Sequence, residues 1–175
     1  MVKVLSRDIV HKSDVGGVRV GVPAGEVERV AAEIVGVVGQ SSPEATIEGL
    51  LIQEQVSGAV EMIVGFTHDP QLGPAVLVGA GGLATELYED VVLRLPPIGT
   101  HDAQRMIEQL KSYPLLTGFR GRPLCDVAAL TDCIVAFAEM VLALGDRLVE
   151  AEINPLFVLP EGQGVRAADA HVVLG

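Results

Sequence analysis

The densest chemistry in the chain lies near its start. Between two short valine-rich stretches runs Ser6-Arg-Asp-Ile-Val-His11-Lys12-Ser13-Asp14-Val15-Gly16-Gly17-Val18. It gathers an imidazole, an ammonium, hydroxyls, carboxylates and a glycine pair. Gly16 and Gly17 would let backbone N–H groups approach an anion, with Lys12 and Ser13 adding charge and a donor. His11 could then act as base, as metal ligand or as nucleophile toward phosphorus. The same composition also reads as a solvated, turn-rich loop with a stray histidine, and the segment by itself leaves both readings open.

A second polar set is Glu150-Ala-Glu152-Ile-Asn154-Pro155-Leu156. Alternation along a strand puts Glu150, Glu152 and Asn154 on one face and Ala151 and Ile153 on the other. Pro155 is expected to end that strand. Carboxylate and amide oxygens at a strand end are hard ligands of the kind Mg²⁺ takes alongside phosphates. Asp169 could meet Asn154 across the sheet. The alternative is an exposed polar sheet face. The third candidate, Gly79-x-Gly81-x-x-Ala84, formally fits a dinucleotide fingerprint, but the helical piece after it is short and no acidic residue ends a second strand about 20 positions on. It reads instead as a glycine turn where the backbone approaches something closely.

The elements that must position these residues follow from periodicity. Strands are expected at Val2–Leu5, Val18–Val22, Ala75–Val78 and Val91–Leu95, and a hairpin at Ile47–Val56 and Ala59–Phe66 turning on Ser57-Gly58. Three short strands close the chain: Val149–Ile153, Leu156–Leu159 and Val165–Val173 with a bulge. A helix opening at Pro23 carries Val27, Val30, Ile34 and Val38 at three-to-four spacing, with Glu26 and Glu28 suiting its dipole. A second helix spans His101–Lys111, and a long apolar one Asp126–Leu144. Adjacent hairpins mixed with helices give an α+β fold with a mainly antiparallel sheet flanked by helices. No repeat and no linker long enough to split the chain is seen.

The 175 residues suit one domain, and 49% apolar against 20% charged excludes a disordered chain. Twelve basic against 23 acidic residues give a net charge of −11, the wrong sign for a general nucleic-acid binder. Aromatics are 3% with no Trp, so Val, Leu, Ile and Ala must build the core. A mean hydropathy of +0.44 is high for a free-standing soluble domain, so part of the apolar surface is expected to face other protein. No apolar run is expected to reach the length of a membrane span. Cys125 and Cys133 sit eight apart on one expected helix, about 12 Å along its axis and too far for a disulfide. No signal peptide is evident, so a cytoplasmic location is expected.

Taken in order, several segments resemble one family. They are the His11 segment, Leu51-Ile-Gln-Glu54, Gly58-Ala-Val-Glu61-Met-Ile-Val-Gly65, Asp69-Pro-Gln-Leu-Gly-Pro74 and Gly81-Gly82. Glu86, Asp90, Arg94-Leu-Pro, Leu116-Thr-Gly-Phe-Arg-Gly121, Glu152-Ile-Asn-Pro-Leu156 and Asp169-Ala follow. Across essentially the whole chain this resembles the ATP-grasp part of NDP-forming acyl-CoA synthetases, of the acetate–CoA ligase (ADP-forming) type, related to the succinyl-CoA synthetase β subunit. The resemblance implies an ATP-grasp-like fold holding ATP or ADP with Mg²⁺ between two antiparallel sheets. It further implies a reversible conversion of acyl-CoA, phosphate and ADP to acid, CoA and ATP. By the same resemblance Lys3 contacts nucleotide phosphates, Gln53 and Glu54 read adenine and ribose, and Glu61 is a second acidic position nearby. Arg94 clamps phosphate, Asn154 and Asp169 ligate Mg²⁺, and His11 relays the phosphoryl group as a phosphohistidine. Lys12 and Arg7 would be the neighbouring cations.

Two departures from the family pattern stand out. Arg7 replaces a usual proline. The family also has a further segment before the first strand, so residues 1–175 are expected to form a single ATP-grasp-type domain that is a fragment. It would lack the N-terminal part of the ATP-grasp region and the CoA-binding and ligase domains. Those domains, on the same chain or a partner subunit, are the expected partners, in a homo- or hetero-oligomer with neither nucleic acid nor membrane. The isolated chain is expected to be inactive. An alternative from another class is a non-catalytic nucleotide-sensing or scaffolding domain of a multidomain protein, for example one fused to an acetyltransferase. His68, His101 and His171 read as ordinary surface or sheet residues. Arg120 and Arg122 read as solvated loop cations or as contacts to CoA or phosphate.

Overall fold

In the computed structural model, residues 1–9, 11–69, 71–81 and 90–175 are described. They divide into two compact units, Met1–Ser57 and Gly58–Gly175.

The first unit is a three-stranded antiparallel sheet in the order β2-β1-β3, built from β1 (Val2–Leu5), β2 (Val18–Arg19) and β3 (Gly49–Ile52). Helix α1 (Val27–Ser41) covers one face. Its three-to-four valine and isoleucine pattern becomes a buried stripe of Val30, Ile34 and Val38, packed on Val2, Val4 and Ile9. Alternation along β1 therefore turns Lys3 and Leu5 to the face away from the helix.

The second unit is a larger antiparallel sheet in the order β6-β5-β4-β7-β8, with β9 also paired to β7. Its strands are β4 (Val60–Asp69), β5 (Gly73–Ala80), β6 (Val91–Arg94), β7 (Leu148–Val158), β8 (Val165–Ala167) and β9 (Ala170–Leu174). The helices α2 (Thr100–Glu108) and α3 (Val127–Leu144) pack on one face. Val60, Met62, Val64, Val76 and Val78 of the sheet meet Met106, Ile107, Leu130, Ile134 and Val141 of the helices. Each such side chain contributes about 1.5–3 kcal/mol on burial. Asp126 caps α3, its carboxylate accepting from the Ala129 amide at 3.0 Å.

The expected mainly antiparallel α+β arrangement holds, and every strand pairing among the described residues is antiparallel. Four local expectations change. The hairpin at 47–66 does not form: β3 pairs with β1, and β4 belongs to the other sheet. Alternation locates strands but not their partners, and the polar stretch Gln53–Gly58 is the passage between the two units. Pro155 does not end β7, which continues through it because the register with β4 shifts between Met62 and Val64. Cys125 precedes α3 instead of lying on it, and both cysteines are free. Finally, Val127–Arg147 is long and apolar enough to cross a membrane by length and composition, with a mean hydropathy of 2.1. Here its inner stripe of Leu130, Ile134, Phe137 and Val141 is spent on the sheet, while Asp132 and Glu139 face outward.

Candidate functional site

In the first unit the His11 loop is closed by its own backbone. The Asp14 amide donates to the His11 carbonyl at 3.2 Å, Gly16 to Ser13 at 3.1 Å and Gly17 to Lys12 at 2.7 Å. The Val4 amide in turn donates to the Gly17 carbonyl at 2.8 Å, stitching the loop to β1. The two glycines thus spend their N–H groups on the loop itself, not on an anion. Their need for missing side chains is steric. A Cβ on Gly17 would lie 2.6 Å from Val4 Cγ1 and 2.8 Å from the Lys12 carbonyl oxygen. Gly16, at φ +70°, would bring one to 2.8 Å from Val37 Cγ1.

The near end of the loop is equally fixed. The Asp8 carboxylate accepts from the Thr46 amide at 2.8 Å, and Ser6 Oγ accepts from the Asp8 amide at 3.2 Å. Arg7, expected as a cation beside His11, instead pairs with Glu48 at 3.0 Å, which spends its charge on the protein. The His11 side chain remains exposed.

Lys3, on β1, is 7% exposed, its stem flanked by Val18 and Leu51 across the sheet. Gln53 continues β3 as a backbone pair with Met1, its amide donating to the Met1 carbonyl at 3.0 Å and its carbonyl accepting from the terminal amine at 3.1 Å. Its Oε1 is buried and, among the described residues, accepts no hydrogen bond. An orphaned buried acceptor is costly unless a ligand supplies the donor, so this atom fits a group with a free N–H such as an adenine amine. Glu54 follows on the surface.

The second unit carries the remaining candidates. Alternation along β4 turns Glu61 and Gly65 to the face opposite the helices, and Glu152 faces the same way through its pairing with Gly65. Asn154 lies in the β7 irregularity, where its amide donates to the Asp169 carbonyl at 3.1 Å. The expected meeting of Asn154 and Asp169 across the sheet is therefore present in the backbone. Among the described residues no three His, Cys, Asp or Glu side chains converge as a metal cage. Two or three oxygen donors fit Mg²⁺, which keeps waters and shares phosphate oxygens. Glu152 is absent from the ligand pair drawn from the sequence, although strand alternation placed it on the polar face. His171 pairs with Glu152 across the ladder and sits 3.7 Å from a Glu150 oxygen.

Arg94 is set apart from this face. It is paired with core residue Val76, on the helix-covered side, and its Nη2 donates to Gln109 Oε1 at 3.3 Å while its buried Nε has no partner among the described residues. The glycines of the formal dinucleotide pattern also resolve. A Cβ on Gly81 would fall 2.8–2.9 Å from the Glu61–Met62 backbone, and on Gly79 2.8 Å from the Asp90 carbonyl oxygen. The close approach is between strands. Gly82, the short piece beginning at Leu83, and with it Ala84 and Glu86, lie outside the described residues. Asp90 follows them, buried, its carboxylate accepting from the Lys111 and Ser112 amides at 2.7 and 2.8 Å. Burial alone would raise its pKa, but these bonds outweigh it and hold the group below the usual carboxylate value.

Two antiparallel sheets, each packed by helices on one face and bearing polar candidates on the other, define an α+β class. The chain belongs to the ATP-grasp domain family, whose model matches residues 1–174. It is 38% identical over 175 residues to acetate–CoA ligase [ADP-forming] I of Archaeoglobus fulgidus, covering all of this chain and 25% of that protein. It is 36% identical over 173 residues to the beta subunit of acetate–CoA ligase [ADP-forming] II of Pyrococcus furiosus, covering 98% of this chain and 73% of that one. The chain thus spans a quarter of the first relative and nearly three-quarters of the second.

Among solved structures it matches the dinucleotide-forming acetyl-coenzyme A synthetase 1 of Ca. Korarchaeum cryptofilum, in complex with coenzyme A, Ca-AMPCP and HgCl⁺. The TM-score is 0.91 at 39% identity, covering 99% of this chain and 75% of that one. A second complex of that protein holds Mg-AMPPCP with its phosphohistidine segment pointing towards the nucleotide binding site, at TM-score 0.82 and 35% identity, covering 100% of this chain and 76% of that one.

Proposed function

We propose that this chain is the nucleotide- and Mg²⁺-handling part of a cytoplasmic ADP-forming acyl-CoA synthetase, with His11 as its phosphate relay. CoA-binding and ligase domains, on the same polypeptide or a partner subunit, would form the acyl phosphate. The whole enzyme would convert acyl-CoA, phosphate and ADP to acid, CoA and ATP. In the step assigned to this chain, the nitrogen–phosphorus bond at His11 breaks as an oxygen of the ADP β-phosphate forms its bond to phosphorus. The imidazole is left free for the next cycle.

The observation that carries this reading is the His11 loop. An exposed imidazole sits on a backbone closed by three internal hydrogen bonds and tied to β1, the strand that also carries buried Lys3. Positioning of this kind is the main thing a protein contributes to phosphoryl transfer. Lys3 would take nucleotide phosphate, Gln53 Oε1 and Glu54 would hold base and ribose, and Glu61 would lie nearby. Asn154 and Asp169, with Glu152 beside them, would hold Mg²⁺, which when bound spreads the charge of the transferring group. Arg94 would serve as phosphate clamp only by leaving Gln109.

The test is His11→Ala in the synthetase assembled with its acyl-CoA-handling part. ATP formation is expected to fall at least ~10³-fold, as when a covalent nucleophile is removed, while nucleotide binding stays unchanged. Activity within about tenfold of the parent would overturn the relay. An assembled parent that binds ADP but forms no ATP would favour the nucleotide-sensing alternative.

A further inference from the structure

The loop Thr117–Pro123 is held at both ends and strained in the middle. Thr117 and Leu124 pair as an isolated antiparallel bridge, and the Cys125 amide donates to the Leu116 carbonyl at 2.9 Å. Inside the loop the Gly121 and Arg122 amides donate to the Gly118 and Phe119 carbonyls at 3.2 and 3.3 Å. Gly118 and Gly121 have φ of 91° and 79°, and Arg120 between them has φ 55°. Arg120 is the one non-glycine residue with positive φ among the described residues. Glycine adopts that conformation without a steric clash, and it stands at 118 and 121, on either side of the Phe119-Arg120 pair. A long side chain kept there against the backbone's preference points to a use for the side chain.

The surroundings say what kind of use. The Arg120 guanidinium lies 5.3 Å from the centroid of the Phe119 ring, and Phe119 itself is 48% exposed. Arg122 is exposed and lines a cavity of about 220 Å³ whose other walls are Gly58, Ala59, Val60, Leu115, Pro123 and Cys125. Neither arginine has an ion-pair partner among the described residues, in a chain with 23 acidic and 12 basic side chains. Burial pushes the Cys125 thiol pKa up, the nearby Arg122 charge and the Val60 amide pulling the other way. A thiol held neutral is a weak nucleophile. The fixed charge of the cavity is therefore the Arg122 guanidinium, set against apolar walls. For scale, an apolar cavity of about 150 Å³ holds benzene. This one is large enough for a ring or short branched chain together with its anionic head. A guanidinium edge matches the two oxygens of a carboxylate, and the apolar walls match a body that a bare phosphate lacks.

We propose that this loop and cavity bind a compact apolar carboxylate of about the size of benzoate. Its body lies against Leu115, Pro123 and Cys125, its carboxylate is taken by Arg122, and Arg120 adds positive potential from the same loop. The site lies wholly within the second unit and is independent of the roles assigned to His11 and the nucleotide residues.

At mildly alkaline pH, where a fraction of the thiol is ionised and alkylates slowly, Cys125 reports occupancy. In a Cys133→Ser chain it is the single remaining thiol, and its alkylation by iodoacetamide is followed with benzoate, with benzyl alcohol and with inorganic phosphate. Benzoate is expected to slow alkylation saturably by about tenfold, with little effect from the other two. Arg122→Gln is expected to abolish the protection without lowering the melting temperature, since the side chain is exposed. Arg120→Gly is expected to weaken protection several-fold while keeping or raising the melting temperature, because it relaxes the backbone. Saturation-transfer NMR from the protein to benzoate gives a second readout that does not depend on thiol reactivity, and its signal is expected to vanish in Arg122→Gln. Equal protection by benzyl alcohol or phosphate, protection unchanged in Arg122→Gln, or no saturable transfer to benzoate would each overturn the proposal.

Discussion

In the first unit, His11 and Lys3 rest on a three-stranded sheet covered by one helix. In the second, Glu61, Asn154 and Asp169 rest on a larger sheet covered by two helices and a far more extensive core. The candidate nucleophile is therefore placed by the smaller foundation. What compensates is local: loop 11–17 is fixed by backbone hydrogen bonds and by glycines that fit directly against Val4 and Val37. The pair proposed to hold Mg²⁺ relies on sheet register, set by packing over many strands. The difference teaches that the loop's precision should be breakable by one atom, whereas the sheet's should be breakable only through the core.

The largest expected effects come from the cores. Ile134→Ala and Ile34→Ala each remove a fully buried side chain and should cost about 2–5 kcal/mol. Hydrogen exchange should localise the first to β4, β5 and β7, and the second to β1 and the His11 loop. Uniform loss of protection across both sheets would blur the comparison. Next comes Gly17→Ala, where a single Cβ meets Val4 and a carbonyl oxygen, at about 1–3 kcal/mol. It should raise exchange in residues 11–17 and leave the second sheet's amides as they were. If it is neutral, the loop is not the rigid mount described.

Asp90→Ala strands the Lys111 and Ser112 amides, at about 1–3 kcal/mol in urea unfolding. Because the folded pKa of Asp90 is depressed, its contribution is present above the unfolded value of 3.8 and is lost as pH falls through the lower folded value. An acid-unfolding curve of the variant should therefore converge on the parent below that range. The smallest effect is Arg120→Gly, expected to stabilise by about 1 kcal/mol through relief of left-handed backbone.

Much of this was legible in the sequence, for identifiable reasons. The three-to-four pattern of Val30, Ile34 and Val38 gave α1 its buried stripe, and alternation placed β1, β4, β5 and β6. Alternation also put Glu152 on the polar face, whereas the single bulged strand expected at Val165–Val173 is two strands, β8 and β9, and Asp169 meets the Asn154 amide in the gap between them. What stayed hidden was non-local. Nothing in residues 47–52 says that they pair with β1 instead of with β4. Glycine at 16 and 17 signals tight backbone but not whether its N–H groups face a ligand or the loop. Arg7 reads as a free cation until Glu48 is seen beside it. Proline at 155 is a strand breaker by default, and only the β4 register shows how a bulge absorbs it.

The central claim is that His11 carries the phosphoryl group. Its most direct test is peptide mapping by mass spectrometry, under alkaline conditions that preserve phosphohistidine, of the assembled synthetase after reaction with Mg·ATP. The account predicts a phosphoryl group on the peptide containing His11, lost when ADP is added and absent in His11→Ala. An unmodified His11 peptide in an enzyme that turns over, or a label that survives ADP, would contradict it.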